Sequence, residues 1–286
     1  MVAWSDGYWW SNDGLRLHYR HFAGDPSRPP ILCIPGLTRN ARDFEAVAAR
    51  LAGDWRVICV ELRGRGESAY AKDPMTYVPL TYLQDIEALI RELKLDRIVL
   101  FGTSLGGIIT MLLAMSGGGR IAGALLNDIG PDLDPRGLDR IRAYVGRSQS
   151  WPTWLHAARF FAEAQRDRYP DWALDQWLVF AKRLCRLTPN GRIALDYDMR
   201  IAEPLKLPGG EAGFDMWRAF EGLRGIPSLV VRGGLSDLLA PATVERMLAE
   251  NEAMEAVTVA RSGHAPTLEE PEAVAAIDRL LARLSA

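Results

Sequence analysis

Cysteine is scarce, with three in 286 residues. Cys33 and Cys59 lie in apolar, strand-like runs, which points to reduced, buried thiols and away from a disulfide framework or a metal site. A reducing, cytoplasmic compartment is the matching expectation. An excess of either charge is also missing: 34 basic residues stand against 36 acidic ones, so nothing draws the chain toward nucleic acid or an anionic membrane. No segment offers about 18 uncharged apolar residues, and Met1-Val2-Ala3-Trp4-Ser5-Asp6 has no basic start before an apolar run. Neither a membrane span nor a signal peptide is therefore expected. Phosphate-binding loops are absent too. The glycine-rich stretch Arg63-Gly64-Arg65-Gly66-Glu67-Ser68 lacks the Gly-Lys-Ser/Thr of a P-loop and the Gly-x-Gly-x-x-Gly of a dinucleotide site. What remains points to partners of low charge, with no metal or nucleotide cofactor expected and the oligomeric state left open.

The informative stretch is Ile98 to Gly107. Four apolar residues, Ile98 to Phe101, suit a strand buried on both faces of a parallel sheet. They run into Gly102-Thr103-Ser104-Leu105-Gly106, a Gly-x-Ser-x-Gly spacing in which a serine sits on a cramped strand-to-helix turn. Such a turn lifts Ser104 clear of the sheet and aims N–H groups of the helix start at one spot.

The surrounding chain repeats the same unit. Leu15 to Phe22 alternates as a strand after the turn residues Asn12-Asp13-Gly14, giving an antiparallel edge hairpin. His18 and His21 fall there, without a metal-type ligand pattern, and are read as surface or edge residues. Pro30 to Ile34 and Trp55 to Leu62 are buried strands, each followed by a loop and then a helical apolar period. Ile121 to Ile129 is the next strand, with Asn127 and Asp128 at its carboxyl end, and Ser228 to Arg232 the one after. A whole βαβ unit needs only about 30 residues, so most of 131 to 213 is surplus to the sheet.

That surplus reads as an inserted helical cap, polar outside, with 12 basic and 9 acidic residues between 131 and 200. Trp154, Ala158, Phe161 and Ala162 share one helical face; Leu174, Trp177, Leu178, Ala181 and Leu184 share another, with Asp171 placed to cap the second helix. Of Trp151, Trp154, Trp172, Trp177 and Trp217, most are expected in packing and one or two on a ligand pocket. His156 reads as helix surface. The division expected is 1–130 with 214–286 as a mostly parallel, doubly wound α/β core, and 131–213 as the cap.

Three residues near strand ends complete a chemistry. Serine needs a base, and the base an acid that fixes its tautomer. Ser104, Asp237 after Gly233-Gly234-Leu235-Ser236, and His264 in Arg261-Ser262-Gly263-His264-Ala265-Pro266 occur in that order. With these residues the chain resembles the α/β-hydrolase superfamily over nearly its whole length. Ile34-Pro35-Gly36-Leu37-Thr38-Arg39-Asn40 is similar to the oxyanion loop, Glu61 to Ser68 to the Asp-x-Arg-Gly-His-Gly-x-Ser segment, and Gly263 to Pro266 to the histidine loop. The inserted helices resemble the lid of the capped esterase and C–C hydrolase branch.

The resemblance implies the α/β-hydrolase fold, with Ser104 as nucleophile, His264 as base, Asp237 as acid, and the N–H groups of Leu37 and Leu105 as oxyanion hole. Asp128 is the rival acid, since some members draw it from the preceding strand. Pro35, Glu61 and Arg65 depart from the usual histidine, aspartate and histidine. Serine in place of aspartate as nucleophile argues against the haloalkane dehalogenase and epoxide hydrolase branches. Arg39, near the oxyanion loop, is read as exposed or in a structural ion pair, with contact to an acidic substrate group as the alternative. The implied activity is cleavage of a small, largely apolar carboxylic ester through an acyl-enzyme. A C–C bond hydrolase, a lactonase and a non-catalytic receptor on the same fold are the alternatives.

Overall fold

The computed structural model describes residues 3–206 and 215–284. The chain opens with strands β1 (Ser5–Trp10) and β2 (Arg16–Phe22), then β3 (Ile31–Ile34), helix α1 (Glu45–Leu51), β4 (Val57–Glu61), α2 (Pro79–Glu92), β5 (Ile98–Thr103), α3 (Leu105–Gly117) and β6 (Ile121–Asn127). After an intervening segment come α7 (Met216–Glu221), β10 (Ser228–Gly233), α8 (Pro241–Glu250), β11 (Met254–Val259) and α9 (Pro271–Ala282). The segment between holds α4 (Pro135–Tyr144), β7 (Ser150–Trp151), α5 (Trp154–Gln165), α6 (Leu174–Leu184), β8 (Cys185–Leu187) and β9 (Ile193–Leu195).

Eight strands form one sheet in the order β1-β2-β4-β3-β5-β6-β10-β11. All neighbours from β4 to β11 run parallel, and only β2, antiparallel to both β1 and β4, runs against the rest. The sheet is covered on both faces, which is why its central strands carry unbroken apolar runs. In β5, Ile98 and Leu100 pack into the cluster shared with α2 and α3, while Val99 and Phe101 pack into the cluster shared with α1 and α9. Each is essentially removed from water, worth about 1.5–3 kcal/mol per side chain. Cys33 and Cys59 face each other across β3 and β4, buried and unbridged, and Cys185 is likewise a free, buried thiol.

The intervening segment packs around its own aromatic cluster, in which Phe161 of α5 meets Phe180 of α6 edge-on at 5.5 Å. It is not purely helical: β7, β9 and β8 make a small antiparallel sheet. Strands of two or three residues are too short to show a period, so the sequence pattern could not reveal them. Asp171 does not cap α6. Ala173 holds the N-cap position, with its N–H on the Gln176 side chain, and Asp171 pairs with Arg261. The expected far boundary of the segment, at 213/214, lies outside the described residues.

Several contacts seat this segment on the sheet. Arg42 reaches Asp196 at 2.6 Å, Tyr77 donates its hydroxyl to Asp198 at 2.7 Å, and Asn40 donates to the Arg183 carbonyl at 3.0 Å. It thereby covers the carboxyl ends of β3, β5 and β6, the edge where open parallel sheets bind ligands. Among the described residues no helix is long and apolar enough to cross a membrane.

Candidate active site

The β5 to α3 turn is built by its glycines. A Cβ at Gly106 would lie 1.9 Å from the Ile34 carbonyl oxygen, and one at Gly102 would lie 2.4 Å from the Gly106 oxygen. Only hydrogen fits at either place. Between them Ser104 adopts φ +53°, a left-handed conformation that a non-glycine residue holds only when the surroundings enforce it. The cramped turn presents its hydroxyl at the floor of a cavity of about 410 Å³.

His264, in the loop after β11, accepts this hydroxyl. Its Nε2 stands 3.0 Å from Ser104 Oγ, and its Nδ1 stands 2.8 Å from an oxygen of Asp128. With Nδ1 protonated and donating to the carboxylate, Nε2 is free to take the serine proton. The histidine is nearly buried and the aspartate fully so. Asp128 follows β6 directly at φ +52°, a conformation that aspartate tolerates better than most residues. Its carboxylate also accepts from the Gly233 N–H at 2.8 Å and the Ser236 hydroxyl at 2.6 Å. Three donors therefore hold one buried carboxylate. Asn127 steadies the histidine loop by donating to the Pro266 carbonyl at 2.9 Å.

The expected partner, Asp237, is elsewhere, and that expectation is corrected. In the loop after β10 it is Ser236 that turns inward, its hydroxyl oxygen accepting from the N–H groups of Leu238 and Leu239 while donating to Asp128. Asp237 then projects toward α4, where Arg140 binds both of its oxygens at 2.5 and 2.8 Å. Burial works against the Asp237 carboxylate, but Arg140 outweighs it and holds the group below the usual aspartate range. β6 and β10 are adjacent, so both aspartates leave neighbouring strand ends, and spacing along the chain does not separate them. The one signal available was the arginine within the insertion that Asp237 would need as counter-ion.

Leu37 lies in the loop after β3, which also lines the cavity, and a Cβ at Gly36 would come within 3.6 Å of Ser104 Cβ. Leu105 is the first residue of α3, where backbone N–H groups have no partner within the helix. No described residue accepts from the N–H of Leu37 or of Leu105. Arg39 is bidentate on Asp43 and lies 4.7 Å over the Phe180 ring. Of the five tryptophans singled out, Trp172 lines the cavity; Trp151 and Trp177 are in the aromatic cluster. His156 is exposed at the start of α5, whereas His18, expected as a surface or edge residue, lies in the edge hairpin but is fully buried between Glu61 and Asp6. Sequence reasoning missed the cavity arginines Arg140 and Arg168, whose convergence depends on how α4 and α5 fold back. Among the described residues, no group of histidine, cysteine and acidic side chains is arranged to hold a metal ion.

Comparison with known proteins places this geometry in context. The family model described as "Alpha/beta hydrolase family" matches residues 31–277. A 3-hydroxybutyrate-oligomer hydrolase of Cupriavidus necator is 36% identical over 272 residues, spanning 92% of each chain. Among solved structures, an alpha/beta hydrolase from Novosphingobium aromaticivorans superposes with a TM-score of 0.95 at 57% identity over 99% of both chains. An E-2-(acetamidomethylene)succinate hydrolase shares the fold, with a TM-score of 0.77 at 23% identity over 99% of this chain and 98% of its own.

Proposed function

The chain belongs to the alpha/beta hydrolase family, and from that membership we propose that it is a serine-type carboxylic ester hydrolase acting on short oligoesters of a hydroxy acid. The observation that carries the reading is the unbroken line of hydrogen bonds from Ser104 through His264 to Asp128.

In this reading His264 Nε2 takes the hydroxyl proton as Ser104 Oγ attacks the ester carbonyl carbon. The N–H groups of Leu37 and Leu105 receive the developing oxyanion, and Asp128 stabilises the imidazolium without taking its proton. Collapse of the intermediate breaks the acyl C–O bond, and the departing alkoxide takes the proton from His264. A water deprotonated by His264 then attacks the acyl-enzyme, releasing the acid and restoring the serine hydroxyl. The segment carrying α4 to α6 acts as the lid of the cavity. The oligoester substrate is supported by the Cupriavidus necator relative, whose match extends over nearly the whole of both chains.

Replacing the nucleophile tests this. Ser104→Ala should lose at least about a thousandfold in kcat on the 3-hydroxybutyrate dimer while melting like the parent protein. A fluorophosphonate should label wild-type Ser104 and leave the variant unmodified, as read by mass spectrometry. Turnover by the variant near the parent rate would refute the assignment. A panel with lactones and a vinylogous diketone separates ester cleavage from the lactonase and C–C hydrolase alternatives.

A further inference from the structure

Five arginines line the cavity above Ser104 among the described residues, and three of them are matched by a carboxylate of their own. Arg39 is held by Asp43, Arg183 pairs with Glu269 at 2.5 Å, and Arg140 is bidentate on Asp237. Arg168 and Arg147 are not so matched. Arg168 Nε stands 3.9 Å from the Asp237 oxygen that Arg140 already holds at 2.5 Å, and no described residue accepts a hydrogen bond from the side chain of Arg168 or Arg147. Burial, with Arg140 close by, pulls the Arg168 guanidinium below the ordinary arginine range. A half-buried cation on an aromatic-walled cavity, lacking an anion within hydrogen-bond reach, is suited to receive one from a ligand.

Its position says which part of the ligand. The stem of Arg168 packs on Gly263, the residue before His264: a Cβ there would lie 2.5 Å from Arg168 Cβ. The next residue, Tyr169, donates its hydroxyl to the Ala265 carbonyl at 3.0 Å. Arg168 therefore stands beside the loop whose histidine hands a proton to the departing alcohol.

We propose that Arg168, with Arg147 as a second cation, binds a free carboxylate carried on the alcohol half of the ester, so that a hydroxy acid is released from the carboxyl end of the oligoester. This rests on the hydrolase reading above. The scissile bond is the ester C–O bond: the carbonyl carbon passes to Ser104 Oγ, the alkoxide takes the His264 proton, and the leaving hydroxy acid keeps its carboxylate throughout.

Three substrates test it: the 3-hydroxybutyrate dimer as free acid, the same dimer as methyl ester, and a trimer deuterated only in its carboxyl-terminal unit. Wild-type kcat/KM should favour the free acid over the methyl ester by about 10- to 100-fold. In Arg168→Gln that preference should collapse, in Arg168→Lys part of it should return, and the first monomer from the trimer should carry the deuterium. A wild-type enzyme indifferent to the methyl cap, an undiminished preference in Arg168→Gln, or an unlabelled first monomer overturns the proposal. If Arg168→Gln does not fold, the wild-type preference must still weaken as salt is added, and a preference independent of salt overturns it. Fluorophosphonate labelling of Ser104 and turnover of p-nitrophenyl butyrate are measured alongside. Where both persist without a carboxylate preference, this inference falls alone; where both fail, the hydrolase reading falls and takes it along.

Discussion

Two aspartates compete for one histidine, and what separates them is their hydrogen-bond partners. Asp128 is buried under three donors with His264 among them, while Asp237 is neutralised by Arg140. In Asp128→Asn the amide no longer enforces the Nδ1–H tautomer, and kcat on a neutral ester should fall by about a thousandfold or more. Asp237→Asn leaves the Ser104 to His264 contact in place and should cost far less, within about tenfold. Equal losses in the two variants, measured as kcat on p-nitrophenyl butyrate, would contradict the assignment of the acid. The meeting of Ser104 with His264 was legible because each lies in a short motif whose glycines or neighbours constrain it locally. Which aspartate meets His264 was not, because two strand ends about 4.8 Å apart in the sheet are indistinguishable along the chain. Only the inward turn of Ser236 decides between them.

At the scale of the element, the β1/β2 hairpin shows how a conventional edge is tied to the rest of the sheet and to α2. Asp13, in its turn, reaches the buried Arg63 at 2.9 Å, and Arg63 also grips Asp85 of α2 at 2.6 Å. His18 on β2 places Nδ1 3.0 Å from Glu61 and Nε2 2.7 Å from Asp6. Both ring nitrogens thus face carboxylates, which calls for the doubly protonated ring. Burial opposes that charge, but Glu61 and Asp6 prevail and raise the group above its ordinary value near 6.5. The contribution of this triplet is therefore complete below about pH 6.5 and fades as pH climbs through the raised value. Urea midpoints should drop between pH 6 and pH 8.5 more steeply in the wild type than in His18→Gln, where no proton is exchanged at this position. Parallel curves would show that the triplet adds nothing. The sequence revealed the hairpin by its alternation and turn residues; it could not reveal that Glu61, where the family carries aspartate, reaches back to a histidine on the neighbouring strand.

Across the whole molecule, the doubly wound sheet was legible because buried parallel strands and amphipathic helices leave periods that differ, whereas the seating of the segment above it depends on contacts with no period at all. The loop 62–68 is where these meet. Gly64 accepts from the Asp198 N–H at 2.7 Å, the Gly66 N–H donates to the Asp196 carbonyl at 3.2 Å, and Arg65 bridges to Tyr197. Arg65 itself is fully buried and, among the described residues, has no carboxylate partner: its Nε donates to the Leu37 carbonyl at 2.8 Å and its Nη1 to the Arg63 carbonyl at 2.5 Å and the Tyr82 hydroxyl at 3.0 Å. A guanidinium takes the place of the histidine common in the family's segment and fastens the Leu37 loop to the sheet and α2. A donor aimed at an oxyanion acts when charge develops, so loosening the Leu37 loop should slow the chemical step more than it weakens substrate binding. Arg65→Gln should keep the fold at a lower melting temperature and lose about ten- to a hundredfold in kcat with KM nearly constant. Arg65→Lys should do little better, because a single ammonium cannot span the Leu37 carbonyl, the Arg63 carbonyl and the Tyr82 hydroxyl at once. If either variant lost melting temperature alone, with kcat intact, Arg65 would be a structural strut and the Leu37 loop would owe its geometry to Gly36 and Asn40.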